Sequence, residues 1–258
     1  MTHEITQEFL AKMLTNRRFR KEFLASVPEL PIDIEALVEM AERTEQKRMV
    51  HISRFIPYTT KALKILGVFD TLSDDYLNLG SATPDPANYY RVMSDALKFT
   101  EFVRQNIPRF ECSYGFLGDM IRFERIRLSL FTEPSDSEAV SIHYIPSYPK
   151  LIRTARIEQF DYHITTIFQD MNVILDLLPY EKNTQFILFV RNPNRSEVEF
   201  FNVSSSVFQT LHDCDGTKHY SAICLTFSEK KVLAHFAEHG LLEDAKRKDV
   251  ELCEFAQL

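Results

Sequence analysis

The feature that most constrains the fold is a pattern in the last third of the chain that predicts a β-hairpin. Phe186–Val190 is a continuous apolar run, and Val198–Val203 is a second segment rich in β-branched and aromatic residues. Between them, Arg191–Arg195 contains a proline and two asparagines, which favour a turn. Two such segments joined by a short turn predict a pair of antiparallel strands.

Helix signals follow the second strand at short intervals. Ser206 is a candidate cap, and Gln209 three residues later completes a capping box. Gly216 and Gly240 can end helices, because glycine adopts the left-handed conformation without strain. The predicted helices are Val207–Cys214 after Ser206, a segment through Cys224 after Thr217, and a segment through His239 after Ser228. Two strands and three short helices are typical of a winged-helix-like domain.

The first half of the chain has a different pattern, with apolar residues at helical spacing throughout residues 1–131. One such helix starts near Ile34 and can continue toward Phe55, since no breaker intervenes before Pro57. Residues 132–140 are polar and acidic and include a proline, which is typical of a linker. The sequence therefore predicts an α+β protein with an all-helical domain at 1–131, a linker at 132–140, and a winged-helix-like domain at 141–258 whose small antiparallel sheet begins at Leu151–Gln159.

The charge distribution limits which partners the second half can bind. Residues 1–131 hold 18 Lys+Arg and 18 Asp+Glu, whereas residues 132–258 hold 12 and 19, so the second half carries the whole net charge of −7. DNA affinity depends on neutralising phosphates with Lys and Arg, so nucleic acid is disfavoured as a partner. The chain has only 6 glycines and no glycine-rich phosphate-binding motif.

The sequence also indicates the cellular compartment of the protein. No secretion signal is visible at the start, and no run of about 18 apolar residues suggests a membrane span. The four cysteines are scattered, with no C-x-x-C pair. Reduced thiols in a cytoplasmic protein without membrane contact are the simplest expectation.

One motif resembles a zinc site. His235-Phe236-Ala237-Glu238-His239 matches the H-x-x-E-H pattern of inverted zinc proteases, in which two histidines bind the metal and the glutamate is the general base. A catalytic zinc also needs a third protein ligand, and only 19 residues follow His239. Histidines are moreover common at helix C-termini, where they suit the dipole. We therefore expect no metal site and no zinc hydrolase here.

Other reactive residues have simpler interpretations. Cys214 lies beside His212 in sequence, but its most common environment would be a small helical core. Ser204–Ser206 is better explained as a helix cap than as a nucleophile. We expect no catalytic residues in this chain. The basic cluster Arg17-Arg18-Arg20-Lys21 is phased around Phe19 and Phe23, which predicts a solvated helix face, with a partner surface as the second interpretation.

Several segments resemble one group of peptide-modification proteins. Phe208–Thr217 and Phe236–Leu242 resemble the motifs of PqqD-like recognition elements of ribosomally made, post-translationally modified peptides, which are winged-helix-like domains that capture a precursor's leader region. Ile142–Asp161 and Leu14–Leu24 are similar to segments of the partner proteins of multinuclear non-heme iron-dependent oxidases. The chain resembles the partners in 3-thiaglutamate and, more distantly, methanobactin biosynthesis.

This resemblance implies a non-catalytic subunit that binds the leader and presents a cysteine of the precursor to a TIM-barrel oxidase. The iron would belong to the oxidase, and this chain would hold no cofactor. In the 3-thiaglutamate type, the oxidase excises the β-carbon of a C-terminal cysteine. The alternative, from the fold alone, is a winged-helix DNA-binding transcriptional regulator.

The binding mode that the resemblance implies also gives site residues. The leader would add as a strand beside Val198–Val203 and lie against the third helix, Lys230–His239. One of Phe200 and Phe201 would line the groove, because neighbouring strand residues point to opposite faces. The lysines would meet acidic leader residues. The residues expected to bind peptide are Val198, Phe200, Phe201, Val203, Lys230, Lys231, Ala234 and His235.

Overall fold

A computed structural model describes residues 3–26, 33–79, 89–110, 115–133, 144–169, 182–192 and 197–245. These residues form both helices and a small antiparallel sheet, in agreement with the α+β expectation. Contacts between them define two compact units. Unit 1 contains the described residues up to Leu128 together with Phe168 and Gln169, and unit 2 contains those from Ser129 to Ile167 and from 182 onward. No helix of the described residues is long and apolar enough to cross a membrane.

The described part of unit 1 is helical, as the sequence predicts. Proline placement explains one boundary, since α3 ends at Phe55 and Pro57 occupies the first turn of the next helix, where its missing N–H is not needed. The helices are α1 His3–Thr15, α2 Arg17–Ser26, α3 Ile34–Phe55, α4 Pro57–Ile65, α5 Phe69–Asn78, α6 Tyr89–Asn106 and α7 Gly115–Thr132, with a 3-10 turn at Ile107–Arg109.

A buried ion network joins α2 to α3. The Arg20 guanidinium donates to Glu45 Oε1 at 2.7 Å and to the Met13 carbonyl at 2.9 Å, and Arg17 donates to Glu45 Oε2 at 2.6 Å. Arg20 is only 6% exposed and Glu45 only 5%. The prediction of a solvated basic face is therefore wrong for Arg17 and Arg20, because a carboxylate across the helix interface neutralises both. Arg18 does remain exposed, paired with Glu22.

Unit 2 starts within the last turn of α7 and contains every described strand. Its elements are β1 Pro149–Leu151, β2 Ala155–Phe160, α8 Ile164–Gln169 as far as Ile167, β3 Gln185–Asn192, β4 Glu197–Val203, α9 Ser205–His212, α10 Tyr220–Ile223, α11 Phe227–Glu238 and β5 Leu242–Asp244. The linker expected at 132–140 falls mostly outside the described residues, and Thr132 is the last residue of α7.

The strands form two antiparallel sheets. β2, β3 and β4 follow one another in a three-stranded sheet, with Ile157 and Phe201 flanking Leu188. The predicted β3–β4 hairpin is confirmed; residues 193–196 of its turn lie outside the described part, whereas Arg191 and Asn192 belong to β3. The predicted strand Leu151–Gln159 is wrong as a single element. Its first residue pairs with β5 at Leu242, and β2 begins separately at Ala155.

An apolar cluster underlies α9, α10 and α11. Its buried members are Cys214, Ile223, Cys224, Leu233, Ala237 and Leu242. Leu233 and Ala237 lie four residues apart on one face of α11, so this face is held against the cluster, whereas Lys230, Lys231 and Ala234 are exposed. Leu242 in β5 closes the cluster from the end of the described chain.

Each helix of this group begins at a different residue from the one predicted. Ser204, not Ser206, caps α9 and accepts from the Val207 N–H at 3.3 Å. His219 caps α10, and Thr226 caps α11 with Glu229 completing a capping box. The expected glycine end is confirmed for Gly240, which follows the C-cap of α11 with a φ of 68°. The expected end at Gly216 is wrong, because α9 already ends at His212 with Asp213 as its C-cap, although Gly216 does have a positive φ of 83°.

Candidate functional site

An open cavity of about 430 Å³ lies within unit 2, between the end of β4, the start of α9 and one face of α11. Its walls combine apolar and nitrogen-bearing side chains: Val203, Val207, Val232, Phe236, Lys231 and His235. A mostly apolar groove with a few polar groups at its edge is the usual composition of a ligand site.

The helical period of α11 explains which side chains reach the cavity. Lys231 and His235 are four residues apart, as are Val232 and Phe236, so the four lie on one face. The Thr226 hydroxyl accepts from the Glu229 N–H, and Glu229 Oε2 accepts from the Thr226 N–H at 2.7 Å. This reciprocal cap fixes where α11 starts and hence which residues face the cavity. The hydrogen bonds from Thr226 also lower the pKa of Glu229, so its carboxylate stays charged.

Strand β4 supplies the other wall. Val203 pairs with Phe186, whose ring lies 4.6 Å from the Phe208 ring of α9, so this face of the sheet is the one that α9 covers. Phe201 shares that face by alternation and is 49% exposed. Among the described strands, β4 pairs with β3 alone, and it is therefore an edge strand of this sheet.

The structure brings three of the eight expected peptide-binding residues to this cavity: Val203, Lys231 and His235. The other five are not among the lining residues. Val198 and Phe200 belong to the opposite face of the sheet from Val203, and Val198 is buried. Phe201 lies on the cavity side of the sheet without lining the cavity, and Lys230 and Ala234 are exposed on a different face of α11.

The sequence analysis did not identify Val207, Val232 and Phe236 as part of the site. Two of them were recoverable from helical periodicity: Val232 lies one residue after Lys231, and Phe236 lies four residues further along the same face. Val207 reaches the cavity because α9 packs against α11. These two helices are separated in sequence by α10, so no local sequence pattern indicates the contact.

Lys231 is the cation at the cavity. Its Nζ lies 4.7 Å from the centre of the Phe227 ring, which steers the side chain along the exposed surface of α11. Lys231 and Phe227 are both exposed. An acidic group on a ligand in the groove would therefore meet an accessible cation.

The two described cysteines are poor nucleophiles. Cys214 is 4% exposed, and its Sγ lies 3.2 Å from the Thr210 carbonyl oxygen, to which it donates. Burial raises the pKa of the Cys214 thiol to about 12, and burial also raises the pKa of Cys224. A thiol needs a lowered pKa to react, so both residues are core-forming, as expected for Cys214. His212 lies against the Phe208 ring on the surface.

Three exposed side chains at the end of α11 come together closely. Ligand atoms of His235, Glu238 and His239 all lie within 4.8 Å of one another, and the two imidazole centres are 4.2 Å apart. The His239 Nδ1 lies 2.8 Å from the His235 carbonyl oxygen. His235 thus belongs both to this cluster and to the cavity wall.

Neither a scan against models of protein families nor a search of curated proteins finds a match to this chain.

Proposed function

We propose that this protein is a non-catalytic substrate-recognition subunit. It binds the leader of a ribosomally made precursor peptide and presents a cysteine to a partner multinuclear non-heme iron-dependent oxidase. The observation that carries the proposal is the cavity between edge strand β4 and α11, with Val203, Lys231 and His235 on its walls. The iron chemistry resides in the partner, and this chain contributes binding and orientation in the cytoplasm.

An edge strand beside a groove suits an extended peptide. A peptide that adds to β4 gains backbone hydrogen bonds, and alternate side chains then point into the groove for selectivity. The Val203, Val232 and Phe236 side chains offer apolar contacts, and Lys231 offers a charge for an acidic leader residue. Backbone pairing of this kind requires no catalytic group.

The element order of unit 2 supports the same proposal. Three antiparallel strands, β2 to β4, are followed by α9, α10 and α11. This order is compatible with what the resemblance to PqqD-like recognition elements implies, and a leader strand would then lie between the last strand and the third helix. The pairing of β1 with β5 is an addition to that pattern.

A binding experiment with a matched pair of lysine variants tests the peptide step. Fluorescein-labelled synthetic leaders, taken from short open reading frames adjacent to the gene, are titrated with the protein and followed by fluorescence anisotropy. Lys231→Glu is expected to weaken binding by roughly tenfold or more, since it reverses a charge at the groove. Lys230→Glu makes the same change one residue away, outside the cavity lining, and is expected to alter the Kd by less than about twofold.

A second arm tests strand addition itself. A leader methylated on alternate backbone nitrogens loses the N–H donors that a strand paired with β4 needs. Two such leaders can be made, with methyl groups on the odd or on the even residues, and binding should be lost for one of them and kept for the other.

Co-purification with a tagged oxidase encoded nearby tests the partner. If wild-type protein binds neither leader nor oxidase, the proposal is wrong; salt-dependent binding of duplex DNA instead would identify a winged-helix regulator.

A further inference from the structure

The cluster at the end of α11 contains two kinds of group that bind transition metals. His235 and His239 are one helical turn apart, and Glu238 adds a carboxylate on the same side. Histidine at i and i+4 places two imidazoles on one helix face. Among the described residues, this is the group of His, Cys, Asp and Glu side chains whose ligand atoms approach closely enough to hold one ion.

A hydrogen bond sets the tautomer of the His239 imidazole. A backbone carbonyl only accepts, so the 2.8 Å contact between His239 Nδ1 and the His235 carbonyl requires a proton on Nδ1. In the neutral ring, the lone pair is then on Nε2. Metal-binding histidines commonly donate the second ring N–H to a carbonyl or carboxylate in this way, which sets the tautomer and the ring orientation.

The distances between the ligand atoms of the three side chains are close to those of a tetrahedral zinc site. Zinc bonds of about 2.0–2.2 Å to nitrogen and oxygen place neighbouring ligand atoms of a tetrahedral site roughly 3.3–3.6 Å apart. The ligand atoms of the three side chains already lie within 4.8 Å of one another, and all three residues are exposed, so rotation about side-chain bonds meets no core packing.

From these contacts we propose that His235, Glu238 and His239 bind a divalent transition-metal ion of the zinc class on the surface of unit 2. The sequence pattern alone lacks a third ligand. The structure supplies one by bringing Glu238 to the two imidazoles, as a ligand and not as the base of a hydrolase. Mixed imidazole and carboxylate ligands suit Zn²⁺, and the general affinity order of divalent metals places Cu²⁺ above both Ni²⁺ and Zn²⁺ at such a site.

The site adjoins the groove through His235, which lines the cavity. An ion that holds this imidazole fixes one end of the groove wall, and binding of the leader and of the ion are then coupled. This coupling rests on the proposed function, whereas the metal site does not. Metal binding is therefore measured first without any peptide, so that the two ideas fail separately.

Isothermal titration of the tag-free full chain with ZnCl₂ tests the site. His235→Ala and His239→Ala are each expected to lower zinc affinity by at least about tenfold, and Glu238→Gln by a smaller factor. His51→Ala is the matched control, since His51 is an exposed histidine on helix α3, and it should bind zinc as the wild type does. Circular dichroism checks that each variant keeps its helices.

Two results would overturn the proposal. One is unchanged zinc binding in the His235→Ala/His239→Ala double variant, and the other is an equal loss of affinity in His51→Ala. Wild-type affinity in Glu238→Gln would remove Glu238 from the ligand set and leave too few ligands for the proposed site.

Discussion

The two units bury different kinds of side chain. Among the described residues, all four buried charged side chains belong to unit 1, namely Arg20, Glu45, Asp95 and Glu124. The buried polar residues described in unit 2 are neutral, Gln185 and Thr210, and its core cluster is apolar with two thiols. The exposed charged side chains of unit 2 include Lys231 at the cavity.

This difference indicates which interactions determine the packing of each unit. In unit 1, paired charges select which helix faces meet: Asp95, for example, accepts from Arg48 at 2.7 Å through both oxygens and from the Tyr76 hydroxyl at 2.7 Å. Breaking such a pair is costly, because the remaining charge stays buried without a partner. In unit 2, strand ladders and apolar packing hold the fold, and none of its described charged side chains is buried.

The largest expected effect comes from breaking the ion network of unit 1. Burial alone would raise the pKa of Glu45, but hydrogen bonds from Arg17 and Arg20 lower it, so the carboxylate is charged in the fold. Glu45→Ala leaves Arg20 buried without its carboxylate and should lower the free energy of unfolding by about 3–5 kcal/mol, measured by urea denaturation.

Asp74→Ala is the control for this variant. Asp74 also accepts from Arg17, at 3.0 Å, but its side chain is 67% exposed, so its loss should cost less than about 1 kcal/mol. An equal cost for the two variants would show that burial of the network does not matter. Hydrogen exchange should place the loss from Glu45→Ala in α1, α2 and α3.

The next largest effect is a pH dependence confined to unit 1. Glu124 is 1% exposed and accepts from the Tyr58 and Thr59 N–H groups at 2.9 and 2.8 Å. Burial raises the pKa of Glu124 from its ordinary 4.5 to about 7. A raised carboxyl pKa favours the folded state when protonated, so this contribution is complete below pH 4.5 and is lost as the pH rises through 7.

The free energy of unfolding should therefore fall by an amount on the order of 2–3 kcal/mol between about pH 5 and pH 8 in the wild type. Glu124→Gln should remove most of this slope. Glu101→Gln is the matched control, because hydrogen bonds from Arg104 and Gln105 lower the pKa of Glu101 to about 2 and its titration lies below this window. A slope unchanged in Glu124→Gln would contradict the assignment.

The smallest expected change in the free energy of unfolding is in unit 2. It comes from the helix cap of α11, because unit 2 has no buried charge among its described residues. Thr226→Ala removes the side-chain half of the α11 capping box and should cost about 1 kcal/mol in denaturation. Ser228→Ala, two residues further and inside the helix, should stay within about 0.5 kcal/mol. If Ser228→Ala were the more costly change, the cap would be the one that the sequence first suggested.

Local patterns in the sequence predicted much of the fold. The β3–β4 hairpin, the helical first half and the helix end at Gly240 all follow from turn residues and periodicity. The cap positions did not, because Ser204, Ser205 and Ser206 are chemically equal candidates. The end of β4 at Val203 leaves Ser204 as the first residue free to cap α9.

Features that depend on distant residues were less predictable. The burial of Arg20 and the partial burial of Arg17 depend on Glu45, which lies on another helix, and helical phase carries no information about that partner. The cavity was anticipated through Val203, Lys231 and His235, whereas Val207 enters it by tertiary packing alone. The single strand expected at Leu151–Gln159 was divided because Leu151 pairs with Leu242, about 90 residues away.

That last pairing has a consequence for how unit 2 folds during synthesis. The β3–β4 hairpin is local and can form within about 1–10 μs once both strands are made. β1 must instead wait for β5, since Pro149 pairs with Asp244, and closing so long a loop is slow as well as late. Because α11 leads directly into β5, the α11 wall of the cavity is the last described part of unit 2 to be anchored, and a ribosome stalled before Leu242 would leave the groove unfinished.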